Sequence, residues 1–251
     1  MGWIGIPDSE IQQLALEAIK HKDEQVVVDK TLNFDLPTVA LPKDCKTIDQ
    51  WLQEGCVEED FLAVVEYVLD RGLELEWYDW MWCEEKGYRD RVIIPFYHQG
   101  RIVGWTGRKI VDGTPKYLTH SSPGYIFNLD HQDYDRKYVI VVEGQIDAIS
   151  VDGVAIMHNE PNDTQIARIK SLAREVIVVP DNDQAGTKLI KTAVEQHWSV
   201  SLPDWGPDVK DVADAVKKYG RVYTLYTIIK YRVTGEIKLT MLKKRILNGN
   251  E

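Results

Sequence analysis

The chain has 251 residues, of which 44% are hydrophobic and 28% are charged, and this composition is typical of a globular protein with one large or two small domains. It contains no apolar run of membrane-spanning length and no signal peptide, so we expect a cytoplasmic protein without a membrane partner. Its three cysteines form no C-x-x-C pair, which argues against a structural zinc site. The net charge of -10 argues mildly against nucleic-acid binding, although carboxylates clustered around a cation would also make the total negative.

Local patterns in the first half of the chain predict helices and one hairpin. An amphipathic pattern predicts a helix over residues 8–22, whereas residues 23–46 show no clear period and are interpreted as a linker or an extended arm. A second apolar pattern predicts a helix over residues 60–70. Two β-rich runs, 91–97 and 101–108, flank a short turn that contains a glycine, and they predict an antiparallel hairpin.

The second half of the chain alternates strands and helices. Its apolar, β-branched runs predict strands at 138–142, 153–157, 175–179 and 198–202, and the segments between and after them predict helices, including those at 163–173, 184–197 and 209–219. This alternation is typical of a parallel sheet with right-handed crossovers. Beyond it the chain is basic, because seven Lys and Arg residues from Arg221 onward are opposed only by Glu236 and Glu251. Such a tail could contact nucleic acid or a partner, but a solvated helix face is the more common meaning.

Acidic residues collect where the predicted parallel strands end. Glu143 follows the first strand directly, and Asp181 and Asp183 follow the third. The carboxyl ends of parallel strands meet at one edge of a sheet, so these side chains are expected to lie together. Three further acids are placed to face the same edge at the starts of the helices that follow, namely Asp147, Asp211 and Asp214.

Six converging carboxylates would repel one another unless cations lie among them. Hard oxygen ligands on an open rim suit Mg²⁺ or Mn²⁺, so all six are candidate metal ligands and Glu143, Asp181 and Asp183 are the candidate catalytic residues. A lone D-x-D is usually a turn or a helix cap. The order of the three acidic groups along the alternating strands and helices is what favours a functional site.

The acidic pattern resembles a known signature. Glu143-Gly144, followed by Asp181-x-Asp183-x-x-Gly186, resembles the TOPRIM motif shared by primases, topoisomerases of types IA and II and several nucleases. This resemblance implies metal-dependent phosphoryl chemistry but not which reaction.

The preceding segment narrows the resemblance to DNA primases of the DnaG type, found in bacteria and phages. The runs that carry it are Arg91-Val-Ile-Ile-Pro-Phe, Gly100-Arg-Ile-Val-Gly-Trp-Thr-Gly-Arg108 and Asp112-Gly-Thr-Pro-Lys-Tyr-Leu118. The resemblance implies an α/β fold, in which a TOPRIM parallel sheet flanked by helices is preceded by a small α+β subdomain with an antiparallel hairpin. The implied domains are an N-terminal helix and arm (1–46), the subdomain (47–136), the TOPRIM domain (137–220) and a basic helical tail (221–251).

The resemblance also implies a function. A primase core joins NTPs into short RNA primers on a single-stranded DNA template by nucleotidyl transfer with Mg²⁺ or Mn²⁺, in this case in the cytoplasm of a bacterial host cell. Arg91, Arg108 and Lys116 match basic positions that hold the template or the nucleotide phosphates.

A zinc ribbon, which members of this family usually carry, and the motif of a fused helicase motor are both missing from the sequence. There is no zinc ribbon and no G-x-x-x-x-G-K-[ST] motif, so we expect a ribbon on another chain or a missing segment, and a separate replicative helicase. The alternatives are a TOPRIM-type metal-dependent nuclease and a non-catalytic module that only binds single strands.

Overall fold

The computed structural model describes residues 35–132, 136–181 and 186–235, together with residue 238. The predicted helix at 8–22 and the first half of the predicted arm, residues 23–34, lie outside these residues. The described chain forms two five-stranded sheets, one antiparallel and one mostly parallel. The predicted α/β class is therefore confirmed.

The first sheet contains the predicted hairpin. Its strands lie side by side in chain order, and all its pairings are antiparallel: β1 (Cys45–Thr47), β2 (Met81–Cys83), β3 (Arg91–His98), β4 (Arg101–Lys109) and β5 (Tyr117–His120). Two helices, α1 (Ile48–Gln53) and α2 (Glu59–Asp70), pack against it. The rings of Trp51 from α1 and Phe61 from α2 lie 5.2 and 5.6 Å from that of Trp82, and burial of these large rings holds the helices on the sheet.

The second sheet has the predicted parallel core. Its strands are β6 (Tyr138–Val142), β7 (Val154–Ala155), β8 (Glu175–Val178), β9 (Ser199–Ser201) and β10 (Arg232–Val233), in the spatial order β10-β9-β8-β6-β7. The connecting helices are α3 (Gln145–Val151), α4 (Asp163–Ser171), α5 (Gly186–Glu195), α6 (Val212–Tyr219) and α7 (Arg221–Lys230). Val139, Val141 and Val178 are fully buried, as expected of strands covered on both faces.

The predicted basic tail begins with helix α7 and strand β10, and β10 extends the second sheet. In α7 the side chains of Thr224, Thr227 and Ile228 are buried, and β10 then pairs antiparallel with β9. The sequence predicts a basic helical tail from residue 221, and the first part of it is the helix α7, which packs against α3 and α6. The domain boundaries themselves stay a prediction. Within the described part of the chain, no helix is both long enough and apolar enough to span a membrane.

Candidate functional site

A cavity of about 620 Å³ lies between the first sheet and the carboxyl edge of the second. Its acidic wall comes from the second sheet and the helices that follow its strands: Glu143, Asp147, Asp181, Asp211 and Asp214. Its basic residues come mainly from the other side: Arg71 after α2, Arg108 on β4, Lys116 before β5, and Lys210 before α6. Seven of the nine predicted site residues therefore line one cavity. Asp183 lies outside the described residues, and Arg91 does not reach the cavity.

Glu143 and Asp181 meet because their strands are neighbours. β6 and β8 pair in parallel, so the residues after each strand emerge at the same edge. The backbone N–H of Asp181 donates to Oε1 of Glu143 at 3.3 Å. This contact links the two strand ends that carry the predicted catalytic carboxylates.

Asp147 and Asp211 share the N-terminus of α6. Oδ1 of Asp147 accepts from the N–H of Ala213 at 2.9 Å, and Oδ1 of Asp211 accepts from the N–H of Asp214 at 2.8 Å. Both carboxylates satisfy donors that the helix leaves unpaired. Asp211 therefore acts as the N-cap of α6, a structural role that does not exclude metal binding through its other oxygen.

The acidic wall is crowded. The pKa of Asp147 is raised well above its ordinary value, first by burial and then by the negative charge of Asp211, with a smaller effect from Asp181. The hydrogen bond from Ala213 lowers this pKa and offsets only part of the increase. A bound cation would relieve the same repulsion. Among the described residues, which exclude Asp183, no three carboxylate, histidine or cysteine side chains are grouped closely enough to hold a metal ion by themselves. An open oxygen-rich rim of this kind still fits Mg²⁺ or Mn²⁺, because Mg²⁺ is usually held by one or two carboxylates together with waters and substrate phosphates.

We expect Asp147→Asn to stabilise the metal-free protein at neutral pH. Between the ordinary pKa of an aspartate and the raised pKa of Asp147, the folded state binds more protons than the unfolded state, so the free energy of unfolding of the wild type falls as pH rises through this window. Asparagine keeps an acceptor for Ala213 and does not titrate. Thermal unfolding in a chelator should show the variant melting higher at neutral pH by a few degrees, since about 1 kcal/mol corresponds to roughly 2–4 °C in a domain of this size.

The difference in melting temperature between Asp147→Asn and the wild type should vanish at pH values below the ordinary pKa of an aspartate. When Mn²⁺ is added at neutral pH, the wild type should melt higher than the variant. Identical pH dependences of wild type and variant in the chelator would contradict the crowding of these carboxylates.

Two glycines of the acidic pattern keep the carboxylates and their backbone close together. A Cβ atom on Gly144 would lie 2.7 Å from Oδ2 of Asp147, and one on Gly186 would lie 2.2 Å from the carbonyl oxygen of Asp181. The second contact is with backbone, which cannot move aside as a side chain can. Gly186 therefore allows the first turn of α5 to approach the segment that carries Asp181.

The basic residues form a cluster of mutually repelling cations. Arg108 donates from Nε to the hydroxyl of Tyr67 at 3.0 Å and from Nη1 to the hydroxyl of Tyr117, and its guanidinium lies over the ring of Tyr117. The exposed Lys116 has a lowered pKa, first because of the charge of Arg108, then through partial burial and the charge of Arg71. A phosphate group between these cations would remove their repulsion.

Arg71 is the main basic residue that the sequence analysis missed. It directly follows α2, and Gly72 beside it has φ of +73° and so close an approach to α6 that a Cβ atom would lie 2.8 Å from Cα of Lys217. This close approach of α2 to α6 brings Arg71 to the cavity. Its Nε is buried, and within the described part of the chain it has no hydrogen-bond partner. A buried donor of this kind is costly unless a ligand satisfies it.

Arg91 holds the first sheet together and does not reach the cavity. Only 4% of the residue is exposed, and its guanidinium donates to the carbonyl oxygens of Gly107 and Pro115 at 3.0 Å each. Its charge and its place in the motif suggested contact with nucleic acid, but its side chain points into the protein. The geometry instead makes it a residue that positions the segment before Lys116.

The curated proteins similar to this chain are DNA primases. The primase of Clostridium acetobutylicum is 28% identical over 185 residues, which cover 62% of this chain and 30% of that protein. The primase of Staphylococcus aureus is 28% identical over 184 residues, which cover 65% of this chain and 31% of that protein. The chain thus spans about a third of the length of these relatives. No protein-family model matches it.

Solved structures of primase cores share the fold at low sequence identity. A DnaG catalytic core superposes with a TM-score of 0.57 at 18% identity, covering 75% of this chain and 77% of that one. A DnaG catalytic domain bound to single-stranded DNA gives 0.56 at 18% identity, covering 74% and 78%. A primase domain from Pseudomonas aeruginosa gives 0.52 at 19% identity, covering 96% and 84%. The chain therefore has the fold of the DnaG primase catalytic core, and its sequence resembles that of bacterial DNA primases.

Proposed function

We propose that this chain is the polymerase core of a DNA primase, which joins NTPs into RNA on a single-stranded DNA template. The observation that carries the proposal is the single cavity in which an acidic wall faces a cluster of four cations. Nucleotidyl transfer needs both, because metal ions and the polyanionic nucleotide must lie side by side. The similarity to DNA primases in sequence and fold supports the same reaction.

The acidic wall is assigned to the metals. Glu143, Asp147 and Asp181, with Asp183 predicted beside them, would hold Mg²⁺ or Mn²⁺. When bound, the metal would lower the pKa of the primer 3′-hydroxyl and neutralise charge that develops on the α-phosphate. The hydroxyl attacks the α-phosphorus of the NTP and pyrophosphate leaves. As an alternative role, we propose that Glu143 accepts the hydroxyl proton as a general base.

The basic residues are assigned to phosphate and template binding. Arg71 presents a planar guanidinium whose Nε has no partner in the part of the chain that the structure describes, and this suits a phosphate that accepts two parallel hydrogen bonds. Arg108 is fixed by Tyr67 and Tyr117, so its position is preorganised. Lys116 and Lys210 are exposed point charges at the cavity, which suit a backbone that moves past them.

One incubation separates this function from its alternatives. Single-stranded DNA, NTPs and Mg²⁺ should yield RNA oligomers for a primase, cut DNA for a nuclease, and neither product for a module that only binds single strands. The segment 114–118, which carries Lys116 into the cavity, favours the primase over the nuclease. Cleavage of the DNA without RNA synthesis would overturn the proposal.

The missing zinc ribbon should affect initiation more than extension. Initiation must position two nucleotides and a template before any duplex exists, and we propose that a ribbon on another chain or segment supplies this, with a separate helicase as a further partner. We therefore expect extension of an annealed RNA–DNA hybrid to exceed de novo synthesis clearly. Efficient synthesis from one defined template sequence by this chain alone would contradict the assignment of initiation to a separate ribbon.

Lys116→Ala should weaken single-strand binding without affecting the metal site. Each Lys–phosphate contact contributes about one released counterion, so the slope of log affinity against log salt should fall by about 0.7 to 1 for this variant. Fluorescence anisotropy over a salt titration measures this slope. Lys191→Ala is the matched control, because Lys191 is 62% exposed on α5 and pairs with Glu195 outside the cavity. Equal slopes for Lys116→Ala and the wild type would contradict the assignment.

A further inference from the structure

A second surface of this protein has the chemistry of a nucleic-acid platform. The outer side of α7 and its two ends expose four tyrosines, interleaved with lysines, and we call it the tyrosine face: Tyr219, Tyr223, Tyr226 and Tyr231, with Lys218, Lys230 and Val222. Tyr223, Tyr226 and Tyr231 are 50%, 56% and 50% exposed, and Val222 is 82% exposed. The opposite side of the helix is the one that packs on the protein. The cavity described above uses none of these residues.

Exposed rings in this number are unusual on a helix that already has a buried side. The outer positions of such a helix are normally charged or polar. Here the rings are arranged for contact: the centroids of Tyr219 and Tyr223 lie 5.4 Å apart, and the ammonium group of Lys230 lies 5.4 Å from the ring of Tyr226 and 5.2 Å from that of Tyr231. A contiguous aromatic surface of this kind indicates a binding site.

The charge of the segment selects a polyanionic partner. Residues 215–235 contain five basic residues and no acidic one, although the whole protein has a net charge of -10. Three of the five have acidic neighbours: Arg232 bonds to Glu175 at 2.8 Å, Lys218 lies 4.0 Å from Asp208, and Arg221 is attracted by Asp152 and Glu74. The ammonium group of Lys230 lies between the rings of Tyr226 and Tyr231. The face therefore presents aromatic rings with net positive charge.

The same charge disfavours two other occupants. Residues 236–251 of this chain contain four basic and two acidic residues, so covering the face with this segment would bring like charges together. A symmetric pair of copies would place the lysines of one face near those of the other. A nucleic-acid strand suits both the rings and the charge of the face, because its bases stack on tyrosine rings and its phosphates attract the lysines.

Helix α6 leads from the cavity to this face. Asp211 and Asp214 at its start line the cavity, and its last residue is Tyr219. A helix of eight residues is about 12 Å long, so a strand that leaves the cavity along α6 reaches the tyrosine face within a few nucleotides. We propose that the tyrosine face binds single-stranded DNA outside the cavity, as an extension of the template path. The identity of the strand as template rests on the proposed function; the binding itself does not.

The test measures DNA binding without nucleotides or catalysis. Anisotropy of a labelled oligothymidylate of about 16 nucleotides is compared between the wild type and Tyr223→Ala/Tyr226→Ala. Loss of two stacking rings should weaken binding at least about tenfold. The matched control Tyr223→Phe/Tyr226→Phe keeps the rings and should bind like the wild type.

The outcomes separate this inference from the proposed function. Unchanged affinity of the alanine variant, or equal losses in the alanine and phenylalanine variants, would overturn the inference. So would sedimentation showing that the face joins two copies, with an alanine variant that becomes monomeric but binds DNA normally. If the wild type makes no RNA while the ring-dependent affinity persists, the proposed function fails and the inference stands. If extension depends on Asp181 but DNA affinity is the same with and without the two rings, the inference fails and the proposed function stands.

Discussion

Asp181→Asn is expected to reduce extension of an annealed primer by about 10³-fold, the largest effect of any single change considered for this protein. Asparagine has nearly the same size and keeps the backbone N–H that donates to Glu143, but it removes a charged oxygen ligand at the edge where β6 and β8 end. Metal ions contribute several kcal/mol to the stabilisation of such a transition state, and each 1.36 kcal/mol is a factor of ten in rate. Single-turnover extension in Mg²⁺ and in Mn²⁺ measures the loss.

Binding of single-stranded DNA separates this effect from misfolding. The affinity of Asp181→Asn should equal or exceed that of the wild type, because the change removes a negative charge beside the bound phosphates. Asp163→Asn is the matched control, since Asp163 is exposed at the start of α4 and lies outside the cavity. If Asp181→Asn kept more than a tenth of the wild-type rate, the metal site would have to lie elsewhere.

Arg71→Ala is expected to lower the efficiency of extension at limiting NTP by roughly 10- to 100-fold, mainly through a higher KM for the nucleotide. A hydrogen bond to a charged group contributes about 1.5–3 kcal/mol, and the buried Nε of Arg71, which has no partner among the described residues, would gain such a bond from a bound phosphate. Steady-state kinetics with varied NTP on a fixed primer–template measure the effect.

Arg71→Ala should still fold, although it loses the attraction of the Arg71 guanidinium to Tyr67, Asp211 and Asp147. The variant removes a buried donor that has no partner within the described residues, so no protein hydrogen bond from Nε is lost. Arg71→Lys keeps the charge without the planar guanidinium and should recover only part of the affinity. An unchanged KM in Arg71→Ala, with normal folding, would show that the nucleotide binds without this residue.

Much of the acidic wall could be predicted from the sequence. Glu143 and Asp181 each follow a continuous apolar run, and neighbouring parallel strands must end at the same edge, so their proximity follows from local patterns and one topological rule. Asp147 and Asp211 were placed at helix starts by the same reasoning, and the structure adds that both satisfy N–H groups of α6.

The same sequence patterns could not distinguish the basic residues that line the cavity from those that are buried elsewhere. Arg71 ends a helix before a glycine, which is an ordinary helix terminus, and only the packing of α2 against α6 brings it to the cavity. Arg91 belongs to the same motif as Arg108, yet its neighbours bury one and leave the other lining the cavity. Position in a motif carries no information about burial when the burying atoms lie on other strands.

The sequence by itself determined the four parallel strands of the second sheet, the alternation of strands and helices along the chain, and the edge at which the acids gather, because apolar periodicity and strand ends are local properties. Only the tertiary structure decided that cations from residues 71–116 face those acids across one cavity, and that the segment after residue 220 returns to pack on the second sheet through α7 and β10. These arrangements depend on how surfaces far apart in the chain fit together. Burial of apolar area drives such packing without direction, so the local sequence does not reveal which charged groups it leaves facing each other.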